Sequence, residues 1–197
     1  IDNTGEQAKQ FILDNNQDER VILIRNEVRL GEVASFYRAI DSCLDREIVL
    51  PLNAKDWLPS PIVLNRLNSA YQNPDVWLSF GQAIEYPSYA IREEAQTSFY
   101  AALFKQLRLN DLFVKGRFQS SSEAFIVPLL DLSGGRVRKL KEPISFFNLA
   151  LPTRQEAPPT EIAKYSPLAS FPAPRKATKA DILLFSSDRP LQLYSCL

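Results

Sequence analysis

The stretch VILIRNEVRLGEVASFYRAIDSCLDREIVLPLNAKDW, residues 21–57, decides the architecture. Val21-Ile22-Leu23-Ile24 is a short apolar run rich in β-branched residues, the composition of a strand buried on both faces of a parallel sheet. Leu30, Val33, Ala34, Tyr37, Ile40 and Leu44 then recur every three or four residues, so this segment is a helix that buries one stripe. Ile48-Val49-Leu50-Pro51-Leu52 reads as a second strand. Strand, crossover helix and strand in that order predict an α/β domain with a mostly parallel sheet flanked by helices.

The same grammar extends in both directions. Upstream, Ala8, Phe11 and Ile12 stand at helical spacing behind the capping residues Asn3 and Thr4, which predicts a short amphipathic helix over residues 5–16. Downstream, a helix over Pro59–Tyr71 leads to the turn Asn73-Pro74-Asp75 and a strand over Val76–Phe80 that ends at Gly81. Phe99–Leu107 and Glu123–Leu132 read as helices, with Pro128 expected to kink or bound the second and Gly134-Gly135 to close it. Between Leu151 and Lys179 prolines gather at 152, 158, 159, 167, 172 and 174 with few large apolar residues, the signature of an extended linker. Asp181–Ser186 is strand-like again. The expected organisation is a main domain over residues 1–150, a proline-rich linker over 151–179, and the start of a second domain over 180–197.

Composition narrows the chemistry. The 197 residues suit one main domain, and 45% apolar with 23% charged residues is ordinary for a globular core. Lys plus Arg equals Asp plus Glu at 23 each, so no global field concentrates nucleic acid or an anionic surface. No apolar run approaches the roughly 20 residues that cross a bilayer. Cys43 and Cys196 match no metal-ligand spacing or disulfide framework, which favours a reducing, cytoplasmic setting. The chain lacks His altogether, which removes Ser-His-Asp triads, Cys-His dyads and His-bearing zinc sites. Acid–base work falls to carboxylates, Lys or Tyr. The absence of any Met predicts a piece of a longer protein.

In open α/β sheets ligands bind beyond the carboxyl ends of the strands, which singles out Asp2-Asn3, Arg25-Asn26, Asn53–Trp57 and Gly81-Gln82. Each has a plain alternative reading. Asp2 and Asn3 cap the following helix, Asn26 stabilises a turn, Lys55 is a solvated loop residue, and Trp57 anchors the core.

The segment Val21-Ile22-Leu23-Ile24-Arg25-Asn26-Glu27-Val28-Arg29-Leu30-Gly31 resembles the second-strand segment of family 2 glycosyltransferases with the GT-A fold, and VWLSFGQAIEYPS, residues 76–88, strengthens the resemblance. It implies that Asp2 ends a strand that contacts the nucleotide of a sugar donor, with Asn26 and Arg29 on the same side. It further implies that the family's first strand and helix lie before residue 1. Where that family commonly carries Asp-Gly-Asp-Asp-Trp, facing a divalent cation and the donor diphosphate, this chain reads Asn53-Ala54-Lys55-Asp56-Trp57. An amide and an ammonium in place of two carboxylates remove the hard oxygen ligands that Mg²⁺ or Mn²⁺ requires, so no metal ligand is assigned and no cofactor is expected unless the altered motif still holds a cation. Lys55 could instead meet the diphosphate directly.

By the same resemblance the general base falls on Ser122, with Glu123 adjacent as the candidate catalytic carboxylate. Ser120-Ser121-Ser122-Glu123 also has the plain form of a helix start. Trp57, Glu85, Tyr86 and Asp111 line the implied acceptor side. The segment between Ser88 and Phe99 is shorter than the family's acceptor loop, and Ser186–Tyr194 resembles the opening of another such domain. The implied function is a glycosyltransferase-like domain with lost or altered metal-dependent activity, whose partners are a nucleotide-sugar and a glycan acceptor. The alternatives are a metal-independent transferase that uses Lys55 and Glu123, or a non-catalytic module that binds a sugar or a protein.

Overall fold

The computed structural model describes residues 4–14, 21–24, 26, 31–115, 117–119, 122–151, 162–172 and 180–185. Helix α1 spans Thr4–Asp14 and α2 spans Glu32–Asp41, and α2 buries Val33, Ala34, Phe36 and Ile40 at helical spacing. Strand β1, Ile48–Asn53, is apolar on both faces and nearly all buried. Val49 joins a core layer with Val33, Phe36 and Ile40 of α2. Leu50, its neighbour on the opposite face, packs with Val63 and Leu67 of α3, which spans Ile62–Tyr71. A strand that supplies two cores needs the near-continuous run Ile48-Val49-Leu50.

The turn at Asn73 forms as expected, with the Val76 amide donating to the Asn73 carbonyl at 3.0 Å. It leads into β2, Leu78–Tyr86, and β2 turns back as β3, Ile91–Tyr100. The expected helix from Phe99 is cut to the single turn α4, Ala101–Phe104, because Phe99 and Tyr100 pair with Val49 and Ile48. A 3₁₀ turn, Leu109–Leu112, and the small hairpin of β4, Phe113–Val114, with β5, Arg117–Phe118, precede α5. Helix α5, Glu123–Ser133, continues through Pro128 instead of ending there, and Gly134 closes it in the left-handed conformation at φ 57. The last elements are β6, Val137–Asn148, and β7, Ala180–Phe185.

The five strands are ordered β6-β2-β3-β1-β7. The pairs β2–β6 and β1–β7 are parallel, whereas β3 runs antiparallel to both β1 and β2. The domain is therefore mixed α/β, and the mostly parallel sheet expected from the sequence holds for only two of its four pairings. The reason is the tight β2–β3 connection, which is too short to carry a crossover. Val21–Ile24 is not the buried strand its composition predicts. These residues lie outside the ladder, and Ile22 is 81% exposed. The place beside β1 is held by β7 in an unbroken six-residue register.

Part of the proline-rich stretch is fastened to the domain. The Leu168 amide donates to the Leu132 carbonyl at 3.0 Å, and Pro167 lies against Gly134. The Phe171 ring packs edge-on against Tyr100 and Trp77, with centroids 4.8 and 5.5 Å apart. Residues 162–172 thus act as a strap across the end of α5. Among the described residues no helix is long and apolar enough to cross a membrane.

Gly81 in β2 is required by its neighbour across the sheet. A Cβ there would lie 2.4 Å from Cγ1 and Cδ1 of the fully buried Ile144. Gly81→Ala is expected to destabilise the domain by about 1–3 kcal/mol through overpacking. In urea unfolding, the double variant G81A/I144A should lose less than the sum of the two single losses, because each change relieves the other.

Candidate functional site

Strands β1, β2, β6 and β7 run in one direction, so their carboxyl ends share a rim. The chain leaves β1 there through a tight turn built by Asn53. Its carbonyl accepts the Asp56 amide at 2.8 Å, and its side-chain oxygen accepts the Lys55 amide at 3.2 Å. An Asn at a strand end closes such a turn on its own backbone. Ala54, Lys55 and Asp56 are all buried behind it, so Lys55 is no solvated loop residue.

Two contacts then tie this turn to β6. The Asp56 carboxylate accepts the Asn148 amide at 2.9 Å. Trp57 and Phe146 exchange backbone hydrogen bonds of 3.3 and 2.7 Å as an isolated antiparallel bridge. The rings follow the backbone, and Trp57 stacks on Phe146 with centroids 5.0 Å apart and planes 13° apart. Tyr86, at the end of β2, sets its ring at 64° to Trp57 and 5.7 Å away. Tyr89 in the β2–β3 connection continues the row, 6.0 Å from Tyr86. Glu85 precedes Tyr86 and forms an ion pair with Arg92 at 2.6 Å.

The rim thus gathers Asn53, Lys55, Asp56, Trp57, Glu85 and Tyr86 of the residues expected from the sequence. The polar groups of the altered motif serve the fold, since Asn53 closes the turn and Asp56 holds β6. Among the described residues no three acidic, Cys or His side chains converge as a metal site would need. The surface offers aromatic faces with hydroxyl and amide edges, suited to stacking and hydrogen bonding.

Other expected residues stand elsewhere. Asp2 and Arg29 lie outside the described residues. The Asn26 amide donates to Ser35 Oγ at 3.0 Å and accepts from Arg38, so this residue is engaged with α2. Glu123 is exposed in the first turn of α5, where a carboxylate complements the helix dipole.

Asp111, in the 3₁₀ turn, fastens the strap and stands apart from the aromatic row. Its Oδ2 accepts from the Tyr165 hydroxyl at 2.5 Å and from Arg108 Nε at 2.8 Å. The Tyr165 oxygen in turn accepts the Arg108 amide at 2.8 Å. A small cavity of about 120 Å³ opens beside Asp111, between Asn110, Phe113 and Gln119. Partial burial raises the Asp111 carboxyl pKa, but the Tyr165 and Arg108 hydrogen bonds outweigh it and hold the group below its ordinary value. Burial, and then the bond to Asp111, push the Tyr165 phenol up.

Phe146, Asn148 and Tyr89 escape the sequence reading. Ile144-Ser145-Phe146-Phe147 carries a strand signal, but Pro143 just before it argues against a central strand. The structure resolves the conflict by making β6 an edge strand whose register against β2 shifts near Pro143. The sequence matches no family model and no curated protein.

Two outcomes follow from this geometry. Asp56→Ala strands a buried Asn148 N–H and is expected to lower unfolding stability by about 1–3 kcal/mol, while Asp56→Asn, which keeps an acceptor, loses less. Urea midpoints check this, and an unchanged midpoint for Asp56→Ala would remove the structural role. The Asp111 tie has a pH signature. Its folded pKa is depressed, so its stabilisation is complete above the ordinary carboxylate range and is lost as pH falls through the lower folded value. Wild type should exceed Asp111→Asn by about 1 kcal/mol at neutral pH, with the gap closing in acid.

Proposed function

We propose that this is a GT-A-like domain of the family 2 glycosyltransferase type that binds a saccharide at the aromatic rim without a metal-assisted donor site. The observation that carries the reading is the Asn53–Trp57 turn. It stands at the carboxyl end of β1, where open α/β sheets take ligands. It also places Trp57 beside Tyr86 and commits Asn53 and Asp56 to backbone hydrogen bonds.

The chemistry supports this division. Transfer from a nucleotide-sugar develops negative charge on the leaving diphosphate, and a divalent cation is the usual counter-charge. In place of carboxylate ligands the turn holds the buried Lys55 and the amide of Asn53. Saccharide recognition needs neither a cation nor a base. Aromatic faces take the C–H surface of a pyranose, and hydroxyl and carboxylate groups take its edges. The domain therefore keeps an acceptor-like surface and has lost metal-dependent transfer. It acts as a sugar-recognising module in a reducing, cytoplasmic setting.

Calorimetric titration with UDP- and GDP-sugars, with and without Mn²⁺, tests the donor side. The expected result is no Mn²⁺-dependent binding and no release of nucleoside diphosphate. Robust metal-dependent turnover would overturn the proposal.

A further inference from the structure

The β2–β3 connection displays an aromatic residue at a conformational cost. Tyr89 has φ 58, in the left-handed region that residues with a Cβ seldom enter. It is held there by its amide, which donates to the Glu85 carbonyl at 2.6 Å. In that position the side chain is 65% exposed, so the strained backbone serves no core packing. The ring instead meets Tyr86, itself 36% exposed, at 84° with centroids 6.0 Å apart.

We propose that Tyr86 and Tyr89 form a two-walled corner that receives a further sugar ring next to the Trp57 position, so that the ligand is a neutral oligosaccharide and not a single sugar. The proposal rests on the saccharide reading above and extends it.

Three observations carry it. First, Trp57, Tyr86 and Tyr89 form an unbroken row of ring contacts, with successive centroids 5.7 and 6.0 Å apart, so a ligand seated at Trp57 has the Tyr86–Tyr89 corner beside it. Second, perpendicular rings offer a stacking face to the apolar side of a sugar and a second wall to its rim, with phenol hydroxyls for the hydroxyl groups. Third, the nearby charges leave no cation to spare, because Arg92 is paired with Glu85, and Glu93, which accepts a hydrogen bond from the neutral Gln82 at 2.7 Å, keeps its negative charge. An anionic glycan would find no unpaired cation in that set, whereas a neutral chain needs none.

The experiment uses the whole chain and follows tryptophan fluorescence and calorimetry. The probes are malto-, cello-, manno- and chito-tetraose, each beside its monosaccharide. At least one tetrasaccharide should bind more tightly than its monosaccharide. Tyr89→Gly relieves the left-handed backbone and so keeps the turn folded. It should weaken that tetrasaccharide roughly threefold to tenfold, the worth of one aromatic contact, and so reduce its advantage over the monosaccharide. Tyr89→Phe should retain most of the advantage. Equal binding of tetrasaccharide and monosaccharide, or a Tyr89→Gly variant with wild-type tetrasaccharide affinity, overturns the corner while leaving the saccharide reading intact. Absence of binding by every saccharide overturns both, as does capture of a protein partner at Tyr89 with no saccharide bound.

Discussion

A single carboxylate joins two strands that the sheet keeps apart. In the order β6-β2-β3-β1-β7, β1 and β6 are three places from one another, yet Asp56, just past β1, holds the amide of Asn148 at the end of β6. A charged acceptor on a buried N–H is among the stronger protein hydrogen bonds, and it is expensive to leave unmade. The neighbouring bridge between Trp57 and Phe146 repeats the connection through the backbone. Trp57 takes its place against Tyr86 because of these two links. The rim is therefore a consequence of how the fold is closed, with the aromatic row as its outward face.

Local periodicity reveals the helices because each buries its own stripe. Val33, Ala34 and Ile40 in α2 keep the expected helical spacing and are buried, whereas Leu44 lies past the helix end and is exposed and Phe36 is the buried aromatic beside Tyr37; Val63 and Leu67 in α3 are likewise buried at helical spacing. Strand β1 is equally legible, since a strand covered on both faces is apolar throughout. Val21–Ile24 has the same composition and ends exposed, because a strand exists only when an edge is available to pair with it. The opposite error occurs at β3. Arg92-Glu93-Glu94 hides its first half, which is exposed where it pairs with the end of β2.

The site divides along similar lines. The position of Asn53–Trp57 at a strand end is written in the sequence, whereas Gly81, read there as the end of a strand, lies inside β2, which runs on to Tyr86 and so carries the rim to Glu85 and Tyr86. Whether a polar side chain is available for chemistry is not written there. Asp56 is committed by an amide 92 residues away, and Asp111 by a hydroxyl 54 residues away. Such long-range commitments turn an apparent row of functional groups into a set of structural ones. At the outer strand β6 the exposed Arg138, Lys139, Lys141 and Glu142 guard the open edge against edge-to-edge pairing, a role that shows only once the segment is known to be an edge strand.

The pairing of Ile48 with Ala180 and of Asn53 with Phe185 also sets an order of events during synthesis. While the ribosome makes the intervening chain, β1 has one partner, β3, and its other edge carries open amides and carbonyls beside an apolar run. The strap reaches the amino end of β1 first, with Phe171 seated on Tyr100 opposite Ile48. The last strand is thereby delivered next to its seat, which turns a distant chain closure into a short local search. A nascent chain stalled before residue 180 presents a bare parallel edge to its neighbours on the polysome.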